Sequence, residues 1–327
     1  MARVAEAYAP ARVKRVEVLE VGAGQAGVAT AHHLHRAGLE PYSEFVVLDD
    51  ASAPGGAWQR RREGLTVDRA WGIRPLPGLA LPDVGLDVPA STALPAYLAA
   101  YEATFDLPVV RPVRVRRVEE AGGGLLSVET DGGTWLTRGL VSATGTWHKP
   151  FWPSWPGQGV FAGRQLHSRD VVRVEEFAGQ HVVVVGAGMS AVTLLVELAG
   201  VATTTWVSRR PPVVVEPDDG TLRRLPMFER LVADGAVWSP VDTPPAPEHV
   251  RADVVVWATG FRPALDHLTP LHLRGRGGSI ALDGPQVVAD PRLQLVGYGP
   301  GAGEASADDT ARAGRTAVRN LRRLLGF

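Results

Sequence analysis

A glycine-rich sequence that occurs twice constrains the fold of this chain more than any other feature. The first copy is Gly22-Ala23-Gly24-Gln25-Ala26-Gly27, and the second, Gly186-Ala187-Gly188-Met189-Ser190-Ala191, starts 164 residues later. Each copy lies between a short apolar segment that predicts a strand and a segment of helical spacing. The predicted strands are 16–21 and 181–185, and the predicted helices are 25–36 and 189–198. A repeat distance of this length is too long for a solenoid and predicts two nucleotide-binding units of one α/β architecture.

The first copy stands where a dinucleotide-binding turn requires it. Glycines in such a turn allow a tight bend, close approach of the backbone to a pyrophosphate, and close packing of the helix on the strand. Asp49 follows the next predicted strand, 45–48, and lies 22 residues after Gly27, where a carboxylate accepts hydrogen bonds from ribose hydroxyls. The first copy and Asp49 therefore predict a dinucleotide site, and the alternative is a glycine-rich turn that binds nothing.

The second copy differs at the end of its second predicted strand, 203–207. Ser208-Arg209-Arg210 stands there in place of a carboxylate, and no Asp or Glu occurs between Glu197 and Glu216. A pair of arginines suits the 2′-phosphate of NADP(H), which a carboxylate would repel. We therefore assign the first site to FAD and the second to NADP(H). The alternative is a solvated arginine pair, with which both NADH and NADPH would serve.

Composition and charge exclude several classes of function. The 34 basic and 35 acidic residues give a net charge of −1, so we expect no nucleic-acid or anionic-membrane partner. The sequence contains no cysteine, which excludes disulfides, dithiol redox chemistry and cysteine-ligated metals. The N-terminus lacks the apolar region of a signal peptide, and no apolar run reaches the ~18 residues of a membrane helix. We expect a cytoplasmic protein without a metal site.

A proline-rich segment divides the chain. Residues 148–156 include three prolines, which excludes a helix interior or a central strand, so this segment reads as a linker. We expect residues 1–155 to form the first part of an FAD-binding domain, 156–252 an inserted NADP-binding domain, and 253–327 the second part of the FAD-binding domain. The predicted fold class is α/β, with two Rossmann-like, three-layer dinucleotide-binding domains.

Four further segments accompany the two turns. They are Pro54-Gly55-Gly56-Ala57-Trp58, Ala143-Thr144-Gly145, Phe161-x-Gly163-x-x-x-His167 and Ala258-Thr259-Gly260-Phe261-Arg262-Pro263. Their order along nearly the whole chain resembles the flavin-containing monooxygenase family, particularly its short bacterial members, with a pyridine nucleotide-disulfide oxidoreductase-like fold. The segment 161–167 is similar to a linker signature that this family shares with Baeyer–Villiger monooxygenases, although Val171 stands where an aromatic residue normally closes it.

The resemblance implies a reaction and a set of site residues. NADPH would reduce FAD, the reduced flavin and O2 would form a C4a-(hydro)peroxyflavin, and this species would oxygenate a small sulfide or amine, or a ketone. Several larger relatives carry an Asn near the flavin after the Gly-Gly-x-Trp motif, but this chain has no Asn before Asn320, so Trp71, Arg69 or retained NADP would take over its role. His167 is expected to act in the linker or against the nicotinamide nucleotide, by gating rather than by proton transfer. Further cofactor contacts are implied for Gly56, Ala57, Trp58, Val113, Thr144, Gly145, Thr259, Gly260 and Tyr298.

Two other classes of protein stay open, an NAD(P)H:acceptor oxidoreductase and a flavin-bound binding or sensor protein. Thioredoxin-reductase-like proteins share the two-domain plan and a similar length, but their dithiol chemistry requires cysteine. A cysteine-free NAD(P)H:acceptor oxidoreductase that passes electrons to ferredoxin or flavodoxin needs only the two nucleotide sites. A flavin-bound binding or sensor protein would hold FAD without oxidising NADPH. A homodimer is a further expectation.

Overall fold

The computed structural model describes residues 13–70, 74–211, 224–239, 247–298 and 307–327. The helices are α1 (Gln25–Arg36), α2 (Ala90–Thr104), α3 (Met189–Leu198) and α4 (Ala307–Leu325). Short 3-10 helices cover Gly56–Arg60, Ser168–Asp170, Val174–Phe177 and Asp266–Leu271. Helices α1 and α3 have the bounds that the sequence predicts. Within these ranges, no helix combines the length and the apolar character that crossing a membrane requires.

The strands form two larger sheets and a small one. In chain order they are β1 (Lys14–Val21), β2 (Phe45–Leu48), β3 (Val109–Val110), β4 (Val115–Gly122), β5 (Leu125–Thr130), β6 (Gly133–Ser142), β7 (Arg164–His167), β8 (His181–Val185), β9 (Thr203–Val207), β10 (Arg224–Leu225), β11 (Arg230–Val232), β12 (Gly235–Val237), β13 (His249–Arg251), β14 (Val254–Trp257), β15 (Leu282–Asp283), β16 (Gln286–Val287) and β17 (Asp290–Leu295). The centre of the first sheet runs β3-β2-β1-β6-β17 and is parallel. Strands β16 and β15 extend one edge, and the hairpin β4–β5 joins β6.

The first sheet is covered on both faces. Val28 and Leu34 of α1 and Leu321 of α4 pack with Val18 of β1 in one buried cluster. A second cluster joins Leu19 of β1 to the hairpin through Val118, Leu126 and Val128. Because β1 alternates between the two clusters, the parallel sheet lies between a helical layer and a β layer. The three-layer α/β prediction is confirmed for this unit.

The second sheet is parallel throughout, in the order β10-β9-β8-β14-β7. Helix α3 packs on one face, and the antiparallel sheet β11–β13 packs on the other. We expected residues from 253 onward to belong with the first sheet, but β14 is hydrogen-bonded between β8 and β7. All four residues of β14 are buried, and apolar strands buried on both faces are typical of the interior of a parallel sheet. The predicted boundary at 252/253 is therefore wrong, and the chain leaves the second sheet after Trp257.

The two units are joined by a pair of chain segments, 144–151 and 259–264, which we call the paired crossings. Three backbone bonds connect them: Phe151 N to Gly260 O (2.9 Å), Arg262 N to Lys149 O (2.7 Å) and Ala264 N to Gly145 O (3.0 Å). Each crossing also donates a threonine hydroxyl to a carbonyl of the other, Thr144 to Ala264 at 2.8 Å and Thr259 to Phe151 at 2.5 Å. The connection between the units is thus one short antiparallel pair rather than two independent linkers.

Candidate functional site

Both glycine-rich turns open into one continuous cleft of about 1420 Å³. Its lining combines the C-terminal ends of β1 and β8 with the paired crossings, and ligands of open α/β sheets bind at such strand ends. Of the residues predicted to contact cofactors, the following line the cleft: Gly22, Gly24, Gln25, Ala26, Asp49, Gly56, Ala57, Trp58, Val113, Thr144, Gly145, Gly186, Gly188, Met189, Ser190, Ser208, Arg209, Arg210, Thr259 and Gly260. The fold therefore brings two motifs that are distant in sequence to one cavity.

The first turn is closed by two glycines that have no room for a side chain. A Cβ at Gly22 would lie 2.6 Å from the carbonyl oxygen of Ala143, and a Cβ at Gly27 would lie 1.9 Å from that of Gly22. Gly27 does not line the cleft, so its role is the close packing of α1 against the turn. The turn sits between β1 and β6, where the strand order of the first sheet reverses.

The N-terminus of α1 presents backbone donors to the cleft. Gly24 is its N-cap, no side chain caps it, and its first turn has no acidic residue. A Cβ at Gly24 would meet nothing within 4 Å, whereas a Cβ at Gly56 would lie 2.8 Å from Gly24 Cα. Trp58 Nε1 donates to Gln25 Oε1 at 3.4 Å and so holds the segment 56–58 against this helix end. Uncapped N–H groups beside open space form a cradle that fits the pyrophosphate of FAD.

Asp49 is oriented by backbone donors at the end of β2. Its Oδ2 accepts from Ala23 N at 2.6 Å, and its Oδ1 accepts from Ala51 N at 2.9 Å. The Nε of Arg111 lies 3.9 Å from Oδ1. A carboxylate has more acceptor capacity than two such bonds use, so Asp49 retains lone pairs for ribose hydroxyls.

The second turn repeats the geometry of the first. A Cβ at Gly186 would lie 2.2 Å from the carbonyl oxygen of Ala258, the residue that follows β14. Trp206 Nε1 donates to Gly186 O at 2.7 Å. Gly188 is the N-cap of α3, again without a side-chain cap and without an acidic residue in the first turn. The residues present therefore fit a second dinucleotide pyrophosphate.

The residues after β9 carry positive charge to the rim of the cleft. Ser208 is buried, and its hydroxyl donates to Arg210 O at 2.6 Å. Arg209 and Arg210 are exposed and line the cleft, and neither forms an ion pair within the described ranges. Two guanidinium groups at this position fit the 2′-phosphate of NADP(H).

His167 forms hydrogen bonds to the backbone of the linker region rather than lining the cleft. The side chain is 0% exposed and does not line the cleft. Its Nδ1 accepts from Arg169 N at 3.2 Å, which leaves Nε2–H to donate to Gly260 O at 3.0 Å. Burial lowers the pKa of His167, so the imidazole is neutral. His167 therefore holds the second of the paired crossings through Gly260, which fits the linker role of the two that were expected, and the nucleotide contact stays a prediction.

The rest of the 161–167 signature is also structural. A Cβ at Gly163 would lie 2.4 Å from Asp253 O and from the ring of Phe161, so only glycine fits beside the start of β14. Val171, where an aromatic residue was expected, is buried against Phe177 in the core of the second unit. The residues of the signature thus pack β7 against β14 and do not place a reactive group in the cleft.

Three other predicted site residues have different outcomes. Tyr298 packs in the core, with its hydroxyl bonded to Thr144 Oγ1 and 3.3 Å from Ser142 Oγ, and does not line the cleft, although Gly297 does. Arg69 is half-exposed, 4.0 Å from Asp68, and does not line the cleft either. Tyr298 is thus held by the core and Arg69 faces solvent, and the contacts expected of both residues stay predictions. Trp71 lies outside the described residues.

The cleft also contains residues that sequence reasoning missed. Arg61 and Trp147 line it, and the Arg61 guanidinium carbon lies 4.6 Å from the centre of the Trp147 ring. Trp147 stacks on Phe261 of the other crossing at 5.5 Å. Their signals in the sequence are the run of arginines at 60–62 after the Gly-Gly-x-Trp motif and the tryptophan that follows the first Ala-Thr-Gly turn.

Comparison with known proteins supports a protein that binds FAD and NADP(H). Residues 19–226 match the family model of the pyridine nucleotide-disulphide oxidoreductases. A solved flavin-containing monooxygenase from Stenotrophomonas maltophilia is 34% identical, covers 95% of this chain and 99% of its own, and superposes with a TM-score of 0.85.

Curated sequences match over shorter stretches. The uncharacterized oxidoreductase CzcO of Bacillus velezensis is 28% identical over 197 residues, 60% of this chain and 56% of that protein. Indole-3-pyruvate monooxygenase YUCCA1 of rice is 33% identical over 184 residues, 54% of this chain and 44% of that protein. The chain thus spans about half the length of the curated relatives it matches. The chain belongs to the pyridine nucleotide-disulphide oxidoreductase family and stands among its flavin-dependent monooxygenases, with FAD and NADP(H) as cofactors.

Proposed function

We propose that this protein uses NADPH and O2 to oxygenate a small soft nucleophile, a sulfide or an amine, or a ketone. The observation that carries the proposal is that two dinucleotide turns share one cleft, so that a nicotinamide and a flavin can meet without leaving the protein. The likeness to the flavin-containing monooxygenase of Stenotrophomonas maltophilia over nearly the whole chain supports it.

The chain's own residues bind, orient and exclude water. The N-terminus of α1 and Asp49 hold FAD, and the N-terminus of α3 with Arg209 and Arg210 holds NADPH. When bound, FAD supplies electron transfer and the activation of O2. Trp58, Trp147 and Phe151 add aromatic surface to the cleft, which keeps water from the reacting atoms. His167 fixes the Gly260 carbonyl and with it the turn that follows β14.

The test is NADPH-dependent turnover of sulfides, amines and ketones under 18O2, with the product measured by mass spectrometry. One labelled oxygen atom in the product supports oxygenation. NADPH consumption that yields only H2O2, or that reduces ferredoxin or flavodoxin without a need for O2, contradicts the proposal and favours the NAD(P)H:acceptor oxidoreductase. Stopped-flow absorbance after mixing reduced protein with O2 tests the C4a-(hydro)peroxyflavin separately.

A homodimer is a secondary proposal. Light scattering of the FAD-loaded protein checks it, and a monomer mass at micromolar concentration contradicts it.

A further inference from the structure

The cleft carries an excess of positive charge that its own carboxylates do not balance. Seven described lining residues are Lys or Arg, and three are Asp. All three carboxylates are engaged: Asp49 by backbone donors, Asp50 by Arg114 at 3.3 Å, and Asp266 by Lys149. A cation that is buried in the cleft without one of these partners therefore calls for an anion from a ligand.

Arg61 is such a cation, and it forms no ion pair with any residue that the structure describes. Its backbone N–H donates to Trp58 O at 3.2 Å, which ends the 3-10 helix Gly56–Arg60. The guanidinium carbon lies 4.6 Å from the Trp147 ring centre and 5.6 Å from that of Trp58. Arg61 Nε is buried and has no hydrogen-bond partner within the described residues. Burial, with the adjacent charge of Arg62 as a smaller cause, lowers the pKa of Arg61 to about 10, so the group stays charged at neutral pH.

The neighbouring arginine is neutralised, which isolates the charge of Arg61. Arg62 Nε and Nη2 bind the two oxygens of Glu197 at 2.5 and 2.9 Å. No described carboxylate forms an ion pair with Arg61, and none is among the groups that shift its pKa. A guanidinium that contacts indole rings through its face keeps its N–H edges for a planar anion, and a carboxylate is the partner that this edge matches in two parallel hydrogen bonds.

Position favours a substrate over a nucleotide phosphate as the source of that anion. The two phosphate sites have their own donors, the uncapped N-termini of α1 and α3 and the pair Arg209 and Arg210. Arg61 contacts Trp58, beside the start of α1, and lies closer to Trp147, which stacks on Phe261 across the paired crossings. The crossings adjoin both turns, so a substrate bound between the two cofactors would lie beside Trp147 and Arg61.

We infer that Arg61 binds the carboxylate of an acidic small-molecule substrate, so that the preferred substrates are anionic. This inference rests on the proposed function for turnover, but not for binding. An Arg61→Met variant keeps an unbranched side chain between the two rings and removes the charge. An Arg61→Lys variant keeps the charge and loses the planar pair of donors.

The experiment compares (phenylthio)acetate, a thioether with a free carboxylate, with the corresponding neutral amide. Both compounds present the same thioether sulfur for oxygenation. Two quantities are measured for each compound: the Kd, from the change in flavin absorbance at equilibrium, and kcat/KM for sulfoxide formation. The FAD-loaded proteins compared are the wild type, Arg61→Met, Arg61→Lys and the exposed control Arg173→Met. We expect Arg61→Met to weaken acid binding and lower kcat/KM for the acid about 10- to 100-fold, the range of a charge-assisted hydrogen bond, with less than a threefold change for the amide. Arg61→Lys should recover part of the loss, and Arg173→Met should lose nothing.

Several results overturn the inference. In the first, Arg61→Met weakens binding of the acid and of the amide equally, and in the second, the wild type binds the acid no more tightly than the amide. In the third, Arg61→Met raises KM for NADPH tenfold or loses FAD, which would assign the anion to a nucleotide phosphate. Acid binding that depends on Arg61 without formation of any sulfoxide would instead sustain the inference and contradict the proposed function. The two failures are therefore distinguishable.

Discussion

Replacing Glu197 by leucine should destabilise the FAD-loaded protein by about 3–5 kcal/mol, because the change leaves a buried cation without its partner. Glu197 lies on α3 of the second unit, and Arg62 lies in the segment that follows the 3-10 helix Gly56–Arg60 of the first. The side chains are 8% and 3% exposed for Arg62 and Glu197, and two charge-assisted bonds join them. Solvent therefore cannot replace the lost carboxylate, and the remaining charge of Arg62 adds to that of Arg61.

The assay is urea unfolding in excess FAD, followed by flavin and by tryptophan fluorescence. Two probes are needed because a protein of two units can unfold in more than one step. Arg62→Met and the double variant complete a mutant cycle. The double variant should recover most of the stability, because it leaves no unpaired charge, whereas each single variant leaves one.

An exposed ion pair provides the control. Arg164 and Glu176 lie 2.7 Å apart with side chains 48% and 34% exposed, and Glu176→Leu should cost only about 0–1 kcal/mol. The reasoning is refuted if Glu197→Leu costs no more than Glu176→Leu, or if the effects of the two single substitutions add in the double variant.

Three further predictions follow from the site and the core. Arg209→Ala should raise KM for NADPH about 10- to 100-fold and leave KM for NADH nearly unchanged, because only NADPH carries the 2′-phosphate; steady-state kinetics with both nucleotides measures this. Gly27→Val should abolish FAD binding, because its Cβ would lie 1.9 Å from Gly22 O; flavin absorbance of the purified protein reports the loss. Glu20 is buried in β1 without a partner among the described residues, and burial raises its pKa well above the usual value. Its stabilising contribution is complete below the unfolded pKa, near 4.5, and is lost as pH rises, so Glu20→Leu should raise the melting temperature more at pH 8 than at pH 5.

Each of these predictions has a result that contradicts it. Equal changes for the two nucleotides in Arg209→Ala would remove the 2′-phosphate assignment. Normal FAD content in Gly27→Val would show that the turn relaxes, and Gly277→Val, at a position with open space and without a left-handed backbone, is the matched substitution outside the turn. A gain in Glu20→Leu that is the same at both pH values would mean that the Glu20 carboxyl does not titrate differently in the folded protein.

Most elements of the fold could be predicted from the sequence because they depend on local patterns of residues. Strand, turn and helix in each glycine-rich repeat depend on residues within about one helix length, and α1, β2, β8, α3 and β9 have the predicted bounds. Which of the two sheets contains β14 depends instead on its pairing with β7, a strand about 90 residues earlier in the sequence. The sequence of a short apolar strand does not show which strands it pairs with. The predicted domain boundary was therefore placed one strand too early, before β14 instead of after it.

The candidate site was predictable where backbone chemistry demands glycine or an acid, and not where packing decides. Glycine at 22, 27 and 186 and the acid at 49 follow from steric and hydrogen-bonding needs that a motif records. The burial of His167 and Tyr298 depends on which partners surround them in three dimensions. For Arg61, the run of three arginines is visible, but only the structure shows that Glu197 neutralises one of them and that two indole rings hold another.

The paired crossings restrict how the second unit can move. A body attached at one point can turn about any axis, but a body attached through two adjacent, hydrogen-bonded segments turns most freely about the line along them. The ion pair between Arg62 and Glu197 is a separate contact between the units, and it sets the angle about that line. A rotation about that line that opens the cleft has to break the ion pair of Arg62 with Glu197, and it increases the distance between the two nucleotide turns.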